Sequence, residues 1–254
     1  MNIGIISDVH TEFCERCDEI PVCDTLICAG DLGLFSDMSK RVILEQFMLE
    51  CKNRADNVIV VLGNHEFYNT IYSETLQEAK EFYDRLGIHL LDIELGTQDL
   101  VIDGVKFWGT TFWTDFKNNS PTVHMSVGDG LNDFYIIKTE QGETFTTEDA
   151  YNINKRSRDL INWDADVIIT HHCPIDIKHP KFETSNMSYG FVNTGLEQKI
   201  TDSNVKLWVY GHNHWSQVDT LGGTIVASNQ YGYRSYIYKN AEDTNFDPNM
   251  TITI

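Results

Sequence analysis

The sequence predicts an α/β fold built on a largely parallel sheet. Its most informative stretch is 58–62, Val-Ile-Val-Val-Leu, in which all five residues are apolar and four are β-branched. This composition is typical of a strand that is buried on both faces. Similar apolar runs recur along the chain, and stretches with helical periodicity separate several of them. Strands that alternate with helices indicate parallel βαβ units.

The first half of the chain follows this alternation. Apolar strands are expected at 2–6, 25–29 and 58–62, and helices are expected at 36–55 and 73–86. The second helix has four apolar residues on one face and a glycine directly after them: Leu76, Ala79, Tyr83, Leu86 and then Gly87. A glycine after the last periodic residue is a common helix stop, so we expect the helix to end there.

The second half contains further strands and two long segments without periodicity. Segments 111–146 and 176–193 are expected to be long loops, the first irregular and rich in Asn, Gly, Thr and aromatic residues. An Asp103-Gly104 pair predicts a hairpin turn between two short strands. The expected strands are 88–91, 100–102, 105–110, 167–170, 205–210, 224–227 and 236–238, with the last two paired antiparallel, and the expected helices begin at 147 and 194. Because no linker or repeat interrupts 1–254, we expect a single domain.

Composition and charge exclude several classes of function. The 254 residues are 41% hydrophobic, which is enough for a sizeable core, and they carry a formal charge of −19. Such an acidic chain repels duplex DNA, but bound cations can still attract a small phosphorylated substrate. The N-terminus leads directly into a strand, and no apolar run approaches the roughly 20 residues of a membrane span. We therefore expect a cytoplasmic protein that does not enter a membrane.

The six cysteines do not form a recognisable framework. Cys14 and Cys17 have the spacing of zinc and redox sites, but no second pair lies at the spacing of a zinc ribbon. We therefore expect ordinary reduced thiols, which are the rule in cytosolic proteins.

Five of the predicted strands end in residues that can bind a metal ion or move a proton. These residues are Asp8 and His10, Asp31, Asn64 and His65, His171, and His212 and His214. Taken singly, each has an ordinary alternative, such as a capped turn, a helix cap or a buried, hydrogen-bonded histidine. Because parallel strands place their carboxyl ends at the same edge of a sheet, we expect the whole set to converge in one site.

The donor types in this set indicate a pair of divalent transition-metal ions. Apart from His65, three residues of the set offer a carboxylate or amide oxygen and four offer an imidazole nitrogen. This mixture suits manganese, iron, cobalt, nickel or zinc better than calcium. Seven donors exceed what one ion needs, and a central aspartate can bridge two ions. Two ions about 3.5–4 Å apart can hold a phosphoryl group during an in-line displacement.

In this order and spacing, the motifs resemble those of the calcineurin-like metallophosphoesterase family, and in particular a small bacterial and phage branch. The matching blocks are Asp8-Val9-His10, Gly30-Asp31, Gly63-Asn64-His65-Glu66, His171 and Gly211-His212-Asn213-His214. The resemblance extends to Trp113-Thr114-Asp115-Phe116, Leu131-Asn132-Asp133-Phe134 and Asn229-Gln230-Tyr231-Gly232-Tyr233. It implies the family's fold, an αββα β-sandwich flanked by helices, and a metal-dependent phosphoesterase activity.

The resemblance also implies a role for each site residue. The first ion would be held by Asp8, His10 and His214, the second by Asn64, His171 and His212, and Asp31 would bridge the two. Manganese is the first candidate among the metals. A hydroxide shared by the ions would attack phosphorus, while His65 protonates the leaving group or stabilises the transition state.

Four further residues near these motifs have two open interpretations each. Glu66 could orient a neighbouring histidine or simply begin a helix, where acidic residues are favoured. His172 could support the metal ligands or serve only the structure. Asn132 and Asp133 could contact the substrate or hold their own loop in place, and we favour the second.

The substrate is less well defined than the reaction. Aromatic residues of 111–146 and 176–193 could stack on a base or could only close the mouth of the site. We expect hydrolysis of a small, nucleotide-like phosphate ester, with a diester preferred over a monoester. Two alternatives are a metal-dependent nuclease acting on short single-stranded nucleic acid and a non-catalytic scaffold that keeps the fold for partner binding.

Overall fold

The computed structural model describes residues 1–14, 17, 19–233, 242 and 244–254 and contains two β-sheets packed face to face. The strands are β1 (Asn2–Ile6), β2 (Cys23–Ala29), β3 (Ala55–Val61), β4 (His89–Leu90), β5 (Asp99–Ile102), β6 (Val105–Thr110), β7 (Val167–Thr170), β8 (Leu207–Tyr210), β9 (Gln217–Leu221), β10 (Thr224–Ser228) and β11 (Thr251–Thr253). The helices are α1 (Met38–Arg54), α2 (Tyr72–Leu86), α3 (Phe116–Asn119), α4 (Pro121–Gly128), α5 (Asp133–Ile136), α6 (Thr147–Asp159) and α7 (Glu197–Asp202). Within the described ranges, no helix has the combined length and hydropathy of a membrane-spanning segment.

Both sheets are parallel in their centres and antiparallel only at their edges. The first sheet has the strand order β11-β1-β2-β3-β4, and only β11 runs antiparallel to its neighbour. The second has the order β5-β6-β7-β8-β10-β9, with β5 and β9 antiparallel at the two edges. The predicted α/β class and the αββα sandwich are therefore confirmed.

Alternation along each central strand sends one set of side chains between the sheets and the other set towards the helices. Ile5, Ile27 and Ile59 of the first sheet are fully buried against the second sheet, where they join residues of β7 and β8. Their neighbours Ile6 and Val60 belong to a separate cluster with residues of α1 and α2. Burial on both faces explains why these strands are continuous apolar runs in the sequence.

Two segments predicted to be long loops contain helical structure instead of an irregular chain. Segment 111–146 includes α3, α4 and α5, and segment 176–193 includes the 3₁₀ turns Pro180–Phe182 and Asn186–Gly190. The two segments pack on each other so closely that a Cβ at Gly190 would lie 2.9 Å from Val127 Cγ1 of α4. Because this packing joins residues that are distant in the chain, it leaves no periodic signal in the sequence.

The pairing around β10 also differs from the prediction. β10 pairs antiparallel with β9, which was not expected, and parallel with β8. No residue of β9 is buried, so this strand lacks the apolar pattern that identifies buried strands. The predicted strand 236–238 lies outside the described residues.

Val209→Ala should destabilise the fold because Val209 is fully buried between the sheets. The change removes apolar contacts and leaves a cavity, so we expect the free energy of unfolding to fall by about 2 kcal/mol. Val218→Ala makes the same change on β9, where the residue is 57% exposed, and should alter that free energy by less than about 0.5 kcal/mol. Urea unfolding followed by circular dichroism measures both variants. Equal changes in the free energy of unfolding for the two variants would contradict the burial of Val209 between the sheets.

Candidate active site

The site residues that the sequence predicts come together at one edge of the sandwich. Each lies in the turn after a central strand, β1, β2 or β3 of the first sheet and β7 or β8 of the second: Asp8, His10, Asp31, Asn64, His65, His171, His212 and His214. His10 and His214 are 204 residues apart in the chain, yet their Nε2 atoms lie 3.1 Å apart. The parallel strands of both sheets thus deliver these side chains to a single buried cluster.

The Asp31 carboxylate lies at the centre of this cluster. Its Oδ1 is 3.4 Å from His171 Nε2, which belongs to the second sheet. Its Oδ2 is 3.8 Å from His10 Nε2 and 4.0 Å from His65 Nε2, both of the first sheet. Burial alone would raise the pKa of Asp31, but the neighbouring histidines hold it well below its usual range. The carboxylate is therefore charged and faces both sides of the cluster.

Three sets of three side chains have the spacing of metal-ligand groups, and two of them share no residue. These two sets are Asp8, His10 and His214, and Asp31, His171 and His212. Within each set, one ligand atom per residue lies within 4.8 Å of the others. Asn64 Oδ1 adds an oxygen 3.1 Å from His171 Nε2. A third set, His10, Asp31 and His65, shares members with both.

Hydrogen bonds at the outer ring nitrogen orient three of the clustered histidines. The pairs are His10 Nδ1 with Glu12 (3.2 Å), His171 Nδ1 with the Ala29 carbonyl (2.8 Å) and His214 Nδ1 with Glu242 (2.6 Å). Carbonyl and carboxylate oxygens accept, so each Nδ1 carries the proton and donates it. The lone pair is then on Nε2, the atom that faces the cluster in each case. This arrangement is typical of metal-binding histidines.

Two further features of the cluster are typical of a functional site: unusual backbone conformations and a buried ring nitrogen without a hydrogen-bond partner among the described residues. Five cluster residues have left-handed φ values between 48° and 73°: Asp8, His10, Asp31, His212 and His214. Sparsely populated backbone conformations cost about 1–3 kcal/mol each and concentrate at functional sites. His212 Nε2 is buried and has no hydrogen-bond partner among the described residues. A bound cation would satisfy that lone pair.

A cavity of about 510 Å³ opens onto the cluster. Its lining includes the cluster residues Asp31, His65 and His214, the aromatic residues Phe13, Tyr68, Phe182, Phe191 and Tyr233, and the polar residues Asn69 and Asn132. Lys178 is the single Lys or Arg among the described residues that line the cavity. Its ammonium pairs with Asp176 at 2.7 Å and lies 4.0 Å from the centre of the Tyr189 ring.

The family model of the calcineurin-like phosphoesterases matches residues 1–216 of the chain. The chain belongs to this family. It is therefore a metal-dependent hydrolase of phosphate esters, and the family implies two divalent metal ions, for which the two ligand sets described above are suited.

Three individual proteins are similar to this chain. The uncharacterized protein L509 of Acanthamoeba polyphaga mimivirus is 24% identical over 283 residues, which cover 98% of this chain and 95% of the relative. The phosphopantetheinyl hydrolase of Mycobacterium tuberculosis superposes with a TM-score of 0.69 and 17% identity, covering 96% of this chain and 93% of that chain. A putative 5′-nucleotidase of Staphylococcus aureus has a TM-score of 0.48 and 16% identity, covering 92% of this chain and 49% of that one. The likeness to the mycobacterial hydrolase shows a common fold.

The phosphoesterase has a buried site residue that was not among the predicted ones, Glu12. Its Oε1 accepts hydrogen bonds from His10 Nδ1 at 3.2 Å and from His65 Nδ1 at 2.8 Å. Burial opposes ionisation, but the bonds from the two histidines lower the pKa of Glu12 to about 2. The sequence did contain one indication of this role: Glu12 is two positions after His10, which repeats the spacing of Asp8 and His10.

His65 is held in one orientation by its neighbours. Besides the bond from Nδ1 to Glu12, its ring stacks on Tyr68 with centroids 4.2 Å apart. Burial disfavours the positive charge, but Asp31 and the bond to Glu12 raise the pKa of His65 to about 9. Its Nε2 faces the cluster and lies 3.5 Å from the Tyr233 hydroxyl. This nitrogen is therefore available to exchange a proton with a ligand.

Glu66 has a role that neither predicted alternative describes fully. It lies in the 3₁₀ turn His65–Phe67, and its carboxylate accepts hydrogen bonds from the backbone N–H groups of Gly63 (2.8 Å), Leu32 (2.7 Å) and Asp31 (3.1 Å). These bonds join the turn after β2 to the turn after β3 and fix the backbone at Asp31. Burial and the nearby Asp31 charge raise the pKa of Glu66 to about 7.

His172 supports a neighbouring ring of the cluster. Its Nδ1 donates to the Thr111 carbonyl at 3.2 Å, and its ring packs 4.2 Å from that of His212 and 5.2 Å from that of Trp113. Burial and the proximity of His171 lower the pKa of His172 to about 3, so the ring is neutral. Of its two open interpretations, the contacts favour support of the cluster.

Gly63→Ala should damage the site because the added carbon would lie 2.1 Å from Asp31 Oδ1 and 2.5 Å from the Asp31 nitrogen. Asp31 would have to move, and a displacement of about 1 Å can lower turnover by about 100-fold. Gly223→Ala is the matched control, since nothing lies within 4 Å of its added carbon. Steady-state kinetics with a chromogenic phosphate ester compares the two. Wild-type turnover in Gly63→Ala would contradict the close packing around Asp31.

Proposed function

We propose that this phosphoesterase binds two divalent ions at the cluster and hydrolyses a small, nucleotide-like phosphodiester. The observation that carries the proposal is the cavity, which joins the ligand sets to aromatic walls and, among the residues that the structure describes, to one lysine. In this assignment Asp8, His10 and His214 would hold one ion, Asn64, His171 and His212 would hold the other, and Asp31 would serve both.

Manganese is the ion that we propose first. The mixture of imidazole nitrogens with carboxylate and amide oxygens suits borderline divalent cations, and the outer hydrogen bonds of His10, His171 and His214 present their Nε2 lone pairs to the cluster. When bound, such ions would supply an activated water and neutralise charge on the phosphate. Asp31 contributes a charged carboxylate between the two ligand sets.

We assign to His65 the transfer of a proton to the leaving oxygen. Its Nδ1 is occupied by Glu12, and the stacked ring of Tyr68 prevents rotation, so its Nε2 stays directed at the cluster. A proton on that nitrogen can reach an ester oxygen placed beside Asp31. General acids in this geometry typically accelerate a reaction by about 10²–10⁴-fold.

Charge in the cavity favours a diester over a monoester. A phosphodiester carries one negative charge, whereas a monoester carries up to about two near neutral pH. Lys178 is the single Lys or Arg lining the cavity in the described part of the chain, and Glu12, Asp133 and Glu242 line it as well. Beyond the charge that the two ions would neutralise, these acidic neighbours disfavour the second charge of a monoester.

The aromatic lining supports a nucleotide-like group on the substrate. Phe182 lies at the cavity with 60% of its surface exposed, and Phe191 stacks on His212 with ring centroids 4.7 Å apart. An exposed aromatic ring can stack on a nucleobase, which contributes about 1–3 kcal/mol per base. We therefore place the base near Phe182 and the scissile phosphate near Asp31.

We also propose a cytoplasmic location. The cysteines Cys17, Cys28, Cys51 and Cys173 are buried, free thiols. Reduced thiols are typical of proteins in reducing compartments, and oxidising compartments favour disulfides.

Asp31→Asn should lower the metal content and abolish turnover, because an amide lacks the negative charge between the two ligand sets. Inductively coupled plasma mass spectrometry gives the ions per chain, and a chromogenic ester gives the rate. Asp84→Asn makes the same change at an exposed position of α2 and should leave both quantities unchanged. Full metal content with normal turnover in Asp31→Asn would disprove the central position of this carboxylate.

His65→Ala should retain two ions per chain and lose about 10²–10⁴-fold in kcat, because only the proton donor is removed. His89→Ala, at an exposed position of β4, is the control. Metal content and kcat are measured on the same preparations. Loss of an ion in His65→Ala would instead make His65 a ligand, as its place in the third set of side chains would allow.

The substrate proposal is tested with bis-p-nitrophenyl phosphate, p-nitrophenyl phosphate, a panel of cyclic and linear nucleotides and a labelled single-stranded oligonucleotide, all with manganese present. We expect kcat/KM to be higher for the diester than for the monoester and higher again for a nucleotide diester. A preference for the monoester would reject the diester assignment. Faster cleavage of the oligonucleotide would favour a nuclease, and absence of turnover with less than one ion per chain would favour a scaffold.

A further inference from the structure

A carboxylate from segment 111–146 reaches into the cluster and contacts Asn64. Asp133, the first residue of α5, is only 2% exposed. Its Oδ1 accepts hydrogen bonds from Asn64 Nδ2 at 2.8 Å and from the Tyr68 hydroxyl at 2.6 Å. The motif Leu131-Asn132-Asp133-Phe134 therefore contributes a side chain to the site, a contact that neither predicted alternative for Asp133 describes.

The contact with Asp133 determines which end of the Asn64 amide faces the histidines. A carboxylate only accepts hydrogen bonds, so it must face the NH₂ group of Asn64. The carbonyl Oδ1 of Asn64 is then directed at His171 Nε2, 3.1 Å away. An amide rotated by 180° would present its N–H groups there, and N–H groups cannot bind a cation.

The same carboxylate also holds Tyr68. The Tyr68 hydroxyl bonds to Asp133 and lies 3.1 Å from Asn64 Nδ2, while its ring stacks on His65. Asp133 thus contacts one proposed metal ligand directly and reaches the proposed proton donor through a single side chain.

Backbone hydrogen bonds keep Asp133 at this position. Asn69 N–H donates to the Ile136 carbonyl (3.2 Å), Tyr72 N–H to the Lys138 carbonyl (2.8 Å) and Lys138 N–H to the Thr70 carbonyl (2.9 Å). These bonds attach the end of α5 to the stretch of chain that directly follows the Asn64 turn. Three backbone hydrogen bonds therefore fix the segment that carries the Asp133 carboxylate.

We propose that Asp133 is a positioning residue that sets the affinity of the second ion by fixing Asn64 as an oxygen donor. This proposal rests on the two-ion site proposed above. Hydrogen-bond partners of metal ligands typically change metal affinity by about 10–100-fold. Removing the Asp133 carboxylate should weaken the ion held with Asn64 by such a factor and leave the ion held with Asp8 unchanged.

The test is a calorimetric titration of Mn²⁺ into the metal-free full chain. Wild type should bind two ions, and Asp133→Ala should bind the first normally and the second about 10–100-fold more weakly. Asp133→Asn keeps the size and one carbonyl acceptor, so its loss should be smaller. Asp129→Ala alters an exposed acid of the same segment and should match wild type. Electron paramagnetic resonance should show the spin-coupled Mn²⁺ pair only at higher manganese concentrations in Asp133→Ala.

Two results would overturn this role. An unchanged affinity for the second ion in Asp133→Ala would show that Asn64 needs no such partner. An equal loss of affinity for both ions would show that Asp133 only stabilises the fold. Thermal melts of the metal-free variants identify a folding defect. If Asp133→Ala has one, the affinities of Asp133→Asn are compared with those of wild type instead. Binding of fewer than two ions by wild type would reject the two-ion site itself. The titration of wild type therefore separates a failure of the two-ion site from a failure of the role of Asp133.

Discussion

The position of the Asp31 carboxylate is the constraint on which the site depends. The backbone N–H of His65 donates to its Oδ1 at 2.9 Å, and Glu66 accepts from the backbone N–H of Asp31. Gly63 packs so closely that it has no room for a side chain. Because these contacts come from the turn after β3, the turn after β2 cannot move independently. The edge of the first sheet is thus a rigid frame for one charged group.

The second sheet completes this frame with imidazoles instead of carboxylates. His171 faces Asp31 from the end of β7, and the His212 backbone N–H donates to Asp8 Oδ1 at 2.9 Å. The sheets therefore bond to each other at the site as well as through their apolar core. Buried carboxylates are costly unless they are paired, and here histidines and backbone N–H groups pair with them. This pairing explains how an acidic chain keeps two aspartates fully buried at one point.

The segments outside the central strands shape the approach to the cluster. Residues of 111–146 and 176–193 line the cavity together, and they meet where Gly190 packs on α4. Asp133 shows that one of these segments also enters the cluster itself. The cluster and the cavity walls are therefore connected by a hydrogen bond between Asp133 and Asn64. A substitution in the cavity lining can therefore shift the Asn64 side chain through Asp133.

The sequence by itself determined the α/β class, the central strands and the set of side chains that meet at their ends. Apolar runs with buried faces identify parallel strands, and parallel strands deliver their following turns to one edge, so local patterns were sufficient there. Only the tertiary structure decided which groups Glu12, Glu66 and Asp133 contact and how much of 111–146 is helical. Those features depend on single contacts between distant residues, such as Asp133 with Asn64, and such contacts leave no periodicity in the sequence.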